Sequence, residues 1–311
     1  MKRLLIFCLC LSLLLLAGCG EKQETDSLSV VAAIFPEYDW ARQIIGDAEG
    51  VELHFLMDDG VDPHSFQPAV ADLVTVSQCD LLIYGGGESD KWLEDALKEY
   101  KDTQAISLLA LLGEQAHSEE IVEGMQATQA EEEADEHVWL SPKNASLFCT
   151  AIAEKLCELD AAHADAYRSN LAAYLEKLND LDEAYRETVQ KAKNDTIVVC
   201  DRFPYRYLTE SYGLHYYAAF PGCSAETGAS FETVVFLADK VKELNLNALI
   251  VTETSDGKLA ETVAENAGKP SMEVLTLDSM QSVSAEKAAE RSYLSVMEQN
   301  RLVLEKALGQ L

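Results

Sequence analysis

The chain has 311 residues, 48% of them hydrophobic, which is enough to fill cores of ordinary domain size and excludes a disordered chain. Its formal net charge of −30 argues against nucleic acid or an anionic lipid surface as partner, because both would repel it. Cations are favoured as ligands, although solubility alone accounts for most of a surface this acidic.

The first residues, Met1-Lys2-Arg3, are basic, and residues 4–17 form a nearly unbroken apolar run ending in small residues. That pattern predicts a secretory signal over residues 1–18, too short to span a hydrocarbon core of roughly 30 Å. Cys19 follows Leu16-Ala17-Gly18 and resembles the cleavage cysteine of a bacterial lipobox. The likeness implies cleavage before Cys19, lipidation of its thiol, and a body anchored at the outer face of a membrane. Residues 19–27 then read as lipid anchor and polar tether.

Residues 29–35 (SVVAAIF) are short, apolar and rich in β-branched side chains, and Pro36 follows, which suits a buried strand of a parallel sheet. Helical spacing over 39–45, alternation over 51–57, helical spacing over 69–77 and a strand at 80–84 that runs into Gly85-Gly86-Gly87 predict βαβ units. The same grammar returns after residue 195. Strands are expected at 196–200, 248–252 and 272–277, helices at 231–244 and 257–267, and a long closing helix at 284–308. Between the two halves, residues 160–193 carry helix signals without a glycine or proline, with Asp160 as N-cap. Tyr167, Leu171, Tyr174, Leu178, Leu181, Tyr185 and Val189 recur every three or four residues there and mark one buried stripe. A rigid helix on the order of 50 Å long, packed along both lobes, is favoured over a coiled coil, since the stripe is short and mixes tyrosine with leucine. The expected fold class is therefore α/β: two parallel-sheet lobes, 28–159 and 195–311, joined by one long linking helix, 160–194.

Of the eight cysteines, Cys8 and Cys10 fall in the signal and Cys19 at the anchor, leaving Cys79, Cys149, Cys157, Cys200 and Cys223. An odd number outside the cytoplasm means a free thiol or an intermolecular bond, and no CxxC spacing supports a thiolate zinc site. Cys200 and Cys223 are a candidate disulfide; buried free thiols are the favoured alternative.

Three places carry chemistry. In Asp62-Pro63-His64-Ser65-Phe66-Gln67-Pro68 two prolines bracket a histidine on a loop, and a neutral imidazole there is a candidate metal ligand against the plainer reading of a structural histidine. In Asp135-Glu136-His137-Val138-Trp139-Leu140-Ser141-Pro142 a second histidine leaves an acidic loop, residues 113–137, which holds nine acids and no lysine or arginine. Those acids are read mainly as a solvated run, with weak gathering of cations as the functional alternative. Asp278 closes the last strand, at the edge where open α/β sheets bind ligands, and reads equally well as a helix cap.

Taken together these motifs resemble the zinc- and manganese-binding lipoproteins that deliver metal to ABC importers. Phe35-Pro36 with Ile44-Ile45-Gly46-Asp47, Gly60 with the His64 loop, Cys79-Asp80-Leu81-Leu82-Ile83-Tyr84 with Trp92-Leu93, and His137-Val138-Trp139-Leu140-Ser141-Pro142 match that family in order. The resemblance implies His64 and His137 as metal ligands, Asp278 as the carboxylate ligand of the second lobe, and a metal site in the cleft between lobes. One position departs from it. The family's third ligand, ten residues before Tyr212-Gly213-Leu214, falls on Arg202, which cannot ligate a metal. Asp201 supplying the oxygen, Glu226 filling the gap, or a three-ligand site with Arg202 pairing a carboxylate or a bound anion all remain open.

The expected function is a monomeric, extracytoplasmic binding protein, not an enzyme, that captures Zn2+ and passes it to an ABC importer permease. Two neutral imidazoles and a carboxylate suit zinc, and manganese if more oxygens join. Because those imidazoles must be deprotonated, affinity should fall on acidification. The alternatives are a manganese carrier of the same type, a surface adhesin or scaffold, and a zinc-dependent hydrolase, against which stands the lack of an HExxH helix or a GxSxG elbow.

Overall fold

The computed structural model describes residues 27–101, 103–127, 133–224 and 228–309. The expected signal, Cys19 and Glu226 lie outside the described residues. Strand β1 (Leu28–Ala32) leads to α1 (Phe35–Ile45), β2 (Val51–Phe55), α2 (Val70–Gln78), β3 (Leu81–Tyr84), α3 (Lys91–Glu99), β4 (Gln104–Ser107) and a short α4 (Leu108–Leu112). All pairings in this sheet are parallel and the strand order is β2-β1-β3-β4. Every residue of Leu81-Leu82-Ile83-Tyr84 is buried, as a parallel strand covered on both faces requires.

Helices α5 (Pro142–Leu159) and α6 (Ala164–Gln190) cross to the second lobe. There follow β5 (Thr196–Phe203), α7 (Arg206–Tyr212), β6 (His215–Pro221), α8 (Phe231–Glu243), β7 (Ala248–Val251), α9 (Lys258–Asn266), β8 (Glu273–Thr276), α10 (Ala285–Glu290) and α11 (Tyr293–Ala307). This sheet is also parallel, in the order β6-β5-β7-β8, which repeats the winding of the first. In each sheet the winding reverses between its two central strands, so each lobe has a crevice at the carboxyl ends of β1 and β3 or of β5 and β7.

Several elements differ from the sequence reading. The linking helix starts at Ala164, because Asp160 belongs to the turn before it: the Asp160 amide donates to Leu156 O, and Oδ2 lies 2.6 Å from both His163 Nδ1 and the Tyr167 hydroxyl that donates to it. At 27 residues α6 is about 40 Å long. Its stripe holds at Tyr167, Tyr174, Leu178, Leu181 and Tyr185, while Leu171 and Val189 are only half-buried and Thr188 is buried beside Val189, the drift that a 3.6-residue turn imposes on regular spacing. The closing helix is two helices, broken at Arg291-Ser292. Ser292 and Ser295 cap each other's backbone N–H, and the Tyr293 amide donates to buried Asp39 at 2.7 Å. Helix α5, with Ser141 as N-cap and Pro142 in the first turn, and strand β6 carry no counterpart in the sequence reading.

Helix α6 packs on α1 and α5 of the first lobe and on α11 of the second. Tyr185 does both jobs of an amphipathic aromatic: its hydroxyl donates to Met297 O at 2.6 Å while its ring stacks on Tyr212 at 5.0 Å. One continuous apolar core runs through the first lobe, α6 and the inner side of the second lobe, and a smaller core fills the space between the second sheet and α8 and α9. Among the described residues no helix is long and apolar enough to cross a membrane.

Candidate metal centre

Four strand ends and one turn converge where the lobes meet. After β2, Asp62 caps a single 3-10 turn (Pro63–Ser65), its Oδ1 accepting from the His64 amide at 3.0 Å, and Pro63 fixes the approach. The His64 Nδ1 lies 2.6 Å from the hydroxyl of Ser89, on the glycine-rich turn after β3. His137 is fully buried. Asp135 Oδ1 accepts from its backbone amide at 3.0 Å and from its Nδ1 at 2.8 Å. With Nδ1 of each ring taken by an oxygen, the neutral tautomers turn their Nε2 lone pairs inward, and those two atoms are 3.4 Å apart. Gln281, beyond β8, presents its side-chain nitrogen to both, at 3.0 Å from His64 and 3.1 Å from His137. Its Oε1 accepts from the Ser279 hydroxyl at 3.0 Å, so the amide's two N–H groups face the two imidazoles. Two lone pairs converging on one donor group are equally placed to meet a cation.

A third group joins them. The ligand atoms of His64, His137 and Cys223 all lie within 4.8 Å of one another. Cys223 follows Pro221-Gly222 at the carboxyl end of β6, and its amide donates to Glu119 Oε1 at 2.8 Å. A Cβ at Gly222 would sit 2.9 Å from the His137 ring, so only glycine lets this turn come so close.

The two aspartates expected as ligands lie elsewhere. Asp278 Oδ1 accepts from the Met280 amide at 2.8 Å and its Oδ2 from Arg291, a guanidinium that folds back from the break before α11 and neutralises it. Asp201 Oδ2 accepts from Thr252 at 2.8 Å. Neither belongs to the group formed by the two histidines and Cys223. Arg202 pairs with Asp62, a carboxylate two residues from His64, and so ties β5 of one lobe to the histidine loop of the other. Cys200 and Cys223 are both free thiols, not a disulfide, as are Cys79, Cys149 and Cys157.

Comparison with known proteins identifies the family. The model of the family described as zinc-uptake complex component A, periplasmic, matches residues 30–307. The chain belongs to that family. Among curated proteins this zinc-uptake family member is 29% identical, over its whole length, to the zinc-binding lipoprotein AdcA of Streptococcus pneumoniae, of which it spans 62%. It is 27% identical to the high-affinity zinc uptake system protein ZnuA of Bacillus subtilis, with 97% of each covered. Among solved structures, the Zn(II)-bound ZnuA-like domain of S. pneumoniae AdcA superimposes with a TM-score of 0.73 at 26% identity, covering 91% of this chain and 100% of that one.

Electrostatics separate the two histidines of this family member. Burial, and then the charge of His137, push His64 down to about 4, against the pull of Asp62. Burial works the same way on His137, but the hydrogen bond and charge of Asp135, with Glu136 and Glu119 beyond, outweigh it and raise the ring above its ordinary value. Burial would also raise Asp62, yet Arg202 holds it below the usual carboxylate range, so it stays charged. The Cys223 thiol is raised by burial and by the carboxylates of Glu119, Glu136 and Asp135. Cys223, Gln281, Ser89 and Asp135 were not foreseen as site residues. The readable signal for the first two was position, since each lies just past a strand's carboxyl end, as Asp278 does.

Proposed function

We propose that this protein is the capture component of a zinc importer, an extracytoplasmic carrier that binds Zn2+ between its lobes and delivers it to the permease of an ABC transporter. The observation that carries the reading is the convergence of His64 and His137, with their Nε2 atoms 3.4 Å apart and each Nδ1 held by an oxygen. The names of the pneumococcal and Bacillus relatives, one zinc-binding and one zinc uptake, support it. Zn2+ displaces the Gln281 amide from the two lone pairs. The Asp135 carboxylate, behind His137, raises the basicity of that imidazole and fixes its orientation. Two imidazoles favour zinc over manganese, which prefers oxygen. We place the signal at residues 1–18, the lipid on Cys19, the first lobe at 28–159, the linking segment with its helix Ala164–Gln190 at 160–194 and the second lobe at 195–311, and read the carrier as a monomer and not an enzyme.

The test is competitive zinc titration of residues 20–311, free of any affinity tag and stripped by chelator, beside the double variant His64→Ala, His137→Ala. One equivalent bound tightly by the parent and lost in the variant is the expected result. Equal binding by both proteins would remove the two histidines from the site, and no binding by either would remove the function.

A further inference from the structure

We propose that Cys223 is a metal ligand, its thiolate joining His64 and His137 in a nitrogen–nitrogen–sulfur site that holds thiophilic divalent cations and rejects manganese. The inference rests on the two-histidine reading above and goes past it by naming a sulfur donor and the selectivity that follows.

Four observations point to it. The ligand atoms of His64, His137 and Cys223 already lie within 4.8 Å of one another, and donors sharing one tetrahedral zinc sit roughly 3.5 Å apart, so closure onto an ion needs a contraction of about 1 Å. The turn that carries Cys223 is built for close approach: a Cβ at Gly222 would meet His137 Cε1 at 2.9 Å and Phe203 O at 3.0 Å. Glu119 fixes the cysteine from the other side, accepting its backbone amide at 2.8 Å and hydrogen-bonding its thiol. Finally, the side chain on β5 that would otherwise approach the histidines from this lobe, Arg202, is engaged with Asp62, and Asp201 with Thr252. The second lobe therefore offers the imidazoles the amide of Gln281 and the sulfur of Cys223, and only the sulfur is a strong ligand.

On binding, the Cys223 S–H bond breaks as the metal–sulfur bond forms. The proton passes to the Glu119 carboxylate and from there to solvent, and no group changes oxidation state. Thiolate in place of carboxylate moves preference toward Zn2+ and Co2+ and away from Mn2+.

Cobalt(II) reports sulfur ligation directly. Residues 20–311, which keep every described element, are loaded with Co2+ beside Cys223→Ser and the His64→Ala, His137→Ala double variant. The expected spectrum of the parent has a near-ultraviolet thiolate-to-cobalt charge-transfer band together with visible tetrahedral bands. Cys223→Ser, with its circular dichroism and melting temperature unchanged, should lose the charge-transfer band. Its zinc affinity should drop by at least roughly a hundredfold, the upper end of what loss of an outer-sphere partner costs. Mn2+ in large excess should leave the parent's bound cobalt in place. A parent that binds cobalt through the histidines but shows no charge-transfer band, or keeps the band in Cys223→Ser, overturns the sulfur ligand and leaves the zinc-carrier reading intact. Absence of metal from the parent itself overturns both.

Discussion

At the scale of single residues, the first lobe buries a carboxyl next to the candidate metal centre. Asp90 is buried at the mouth of the Gly85-Gly86-Gly87 turn, one residue from the Ser89 that orients His64. Burial pushes its carboxyl up to about 7 against the hydrogen bond from the Gly86 amide, and the charge of Glu136 adds to the rise. A folded value above the unfolded value near 4 means that the fold prefers the protonated form. Its stabilising contribution is complete below about pH 4 and is lost as pH climbs through about 7. Asp90→Asn removes that dependence, so in urea melts with chelator present the variant should gain on the parent between pH 4.5 and 7.5, by up to about 4 kcal/mol. A stability difference that does not change with pH would show that Asp90 stays charged. Residue-scale legibility was uneven for a physical reason. His64 and His137 stood out as candidates because prolines and acids in their own loops declare a constrained turn, although the turn at His137 is buried. Asp278 misled because its fate is decided by Arg291, a contact no local pattern announces. Cys223 was unreadable because its neighbours are on other strands.

At the scale of elements, the turn after β6 links the sheet to the site. Gly222→Ala forces a Cβ to within 2.9 Å of His137 Cε1 and 3.0 Å of both Glu119 Oε1 and Phe203 O, and neither the buried ring nor the backbone oxygen can retreat far. The turn should move instead, costing about 1–3 kcal/mol of stability and lowering zinc affinity by about tenfold or more. Competitive titration and thermal melting of the variant measure the two effects separately, and unchanged affinity would mean that the turn does not shape the site. The strands flanking the sites were legible where they are β-branched and fully buried, as in Ala248-Leu249-Ile250-Val251. Strand β6 escaped because its sequence, His215-Tyr216-Tyr217-Ala218-Ala219-Phe220-Pro221, pairs along an edge and mixes aromatics with alanine, so it shows neither alternation nor a β-branched run. The single closing helix was over-read for the opposite reason: residues 284–308 hold no glycine or proline and are mostly good helix formers, and the break is imposed by the Ser292 cap and by Asp39 from the other lobe.

At the scale of the whole molecule, α6 and a set of direct bonds join the lobes. Arg202 pairs with Asp62, Trp139 Nε1 donates to Ser279 O at 2.9 Å, the Tyr293 hydroxyl donates to Trp139 O at 2.7 Å, and Arg42 donates to Ala288 O and Arg291 O, each at 3.0 Å. Because one core runs through both lobes, a cavity in the strut should weaken them together. Leu178→Ala, at a fully buried position of α6, is expected to cost about 2–5 kcal/mol and to lower the midpoint of one cooperative transition. Two separated transitions in calorimetry would mean that the lobes unfold independently. This level was the most legible of all, since two rounds of βαβ grammar and an unbroken striped segment already specify two sheets and a strut. A strut of that kind has a consequence for traffic at the membrane. We expect a carrier held by such a strut to keep its outline on loading, so that, in the proposed role, empty and loaded copies should dock on the permease with similar ease. Excess metal-free protein should then slow uptake driven by loaded protein in reconstituted vesicles, and import would be throttled by the ratio of full to empty carriers rather than by the number of full ones.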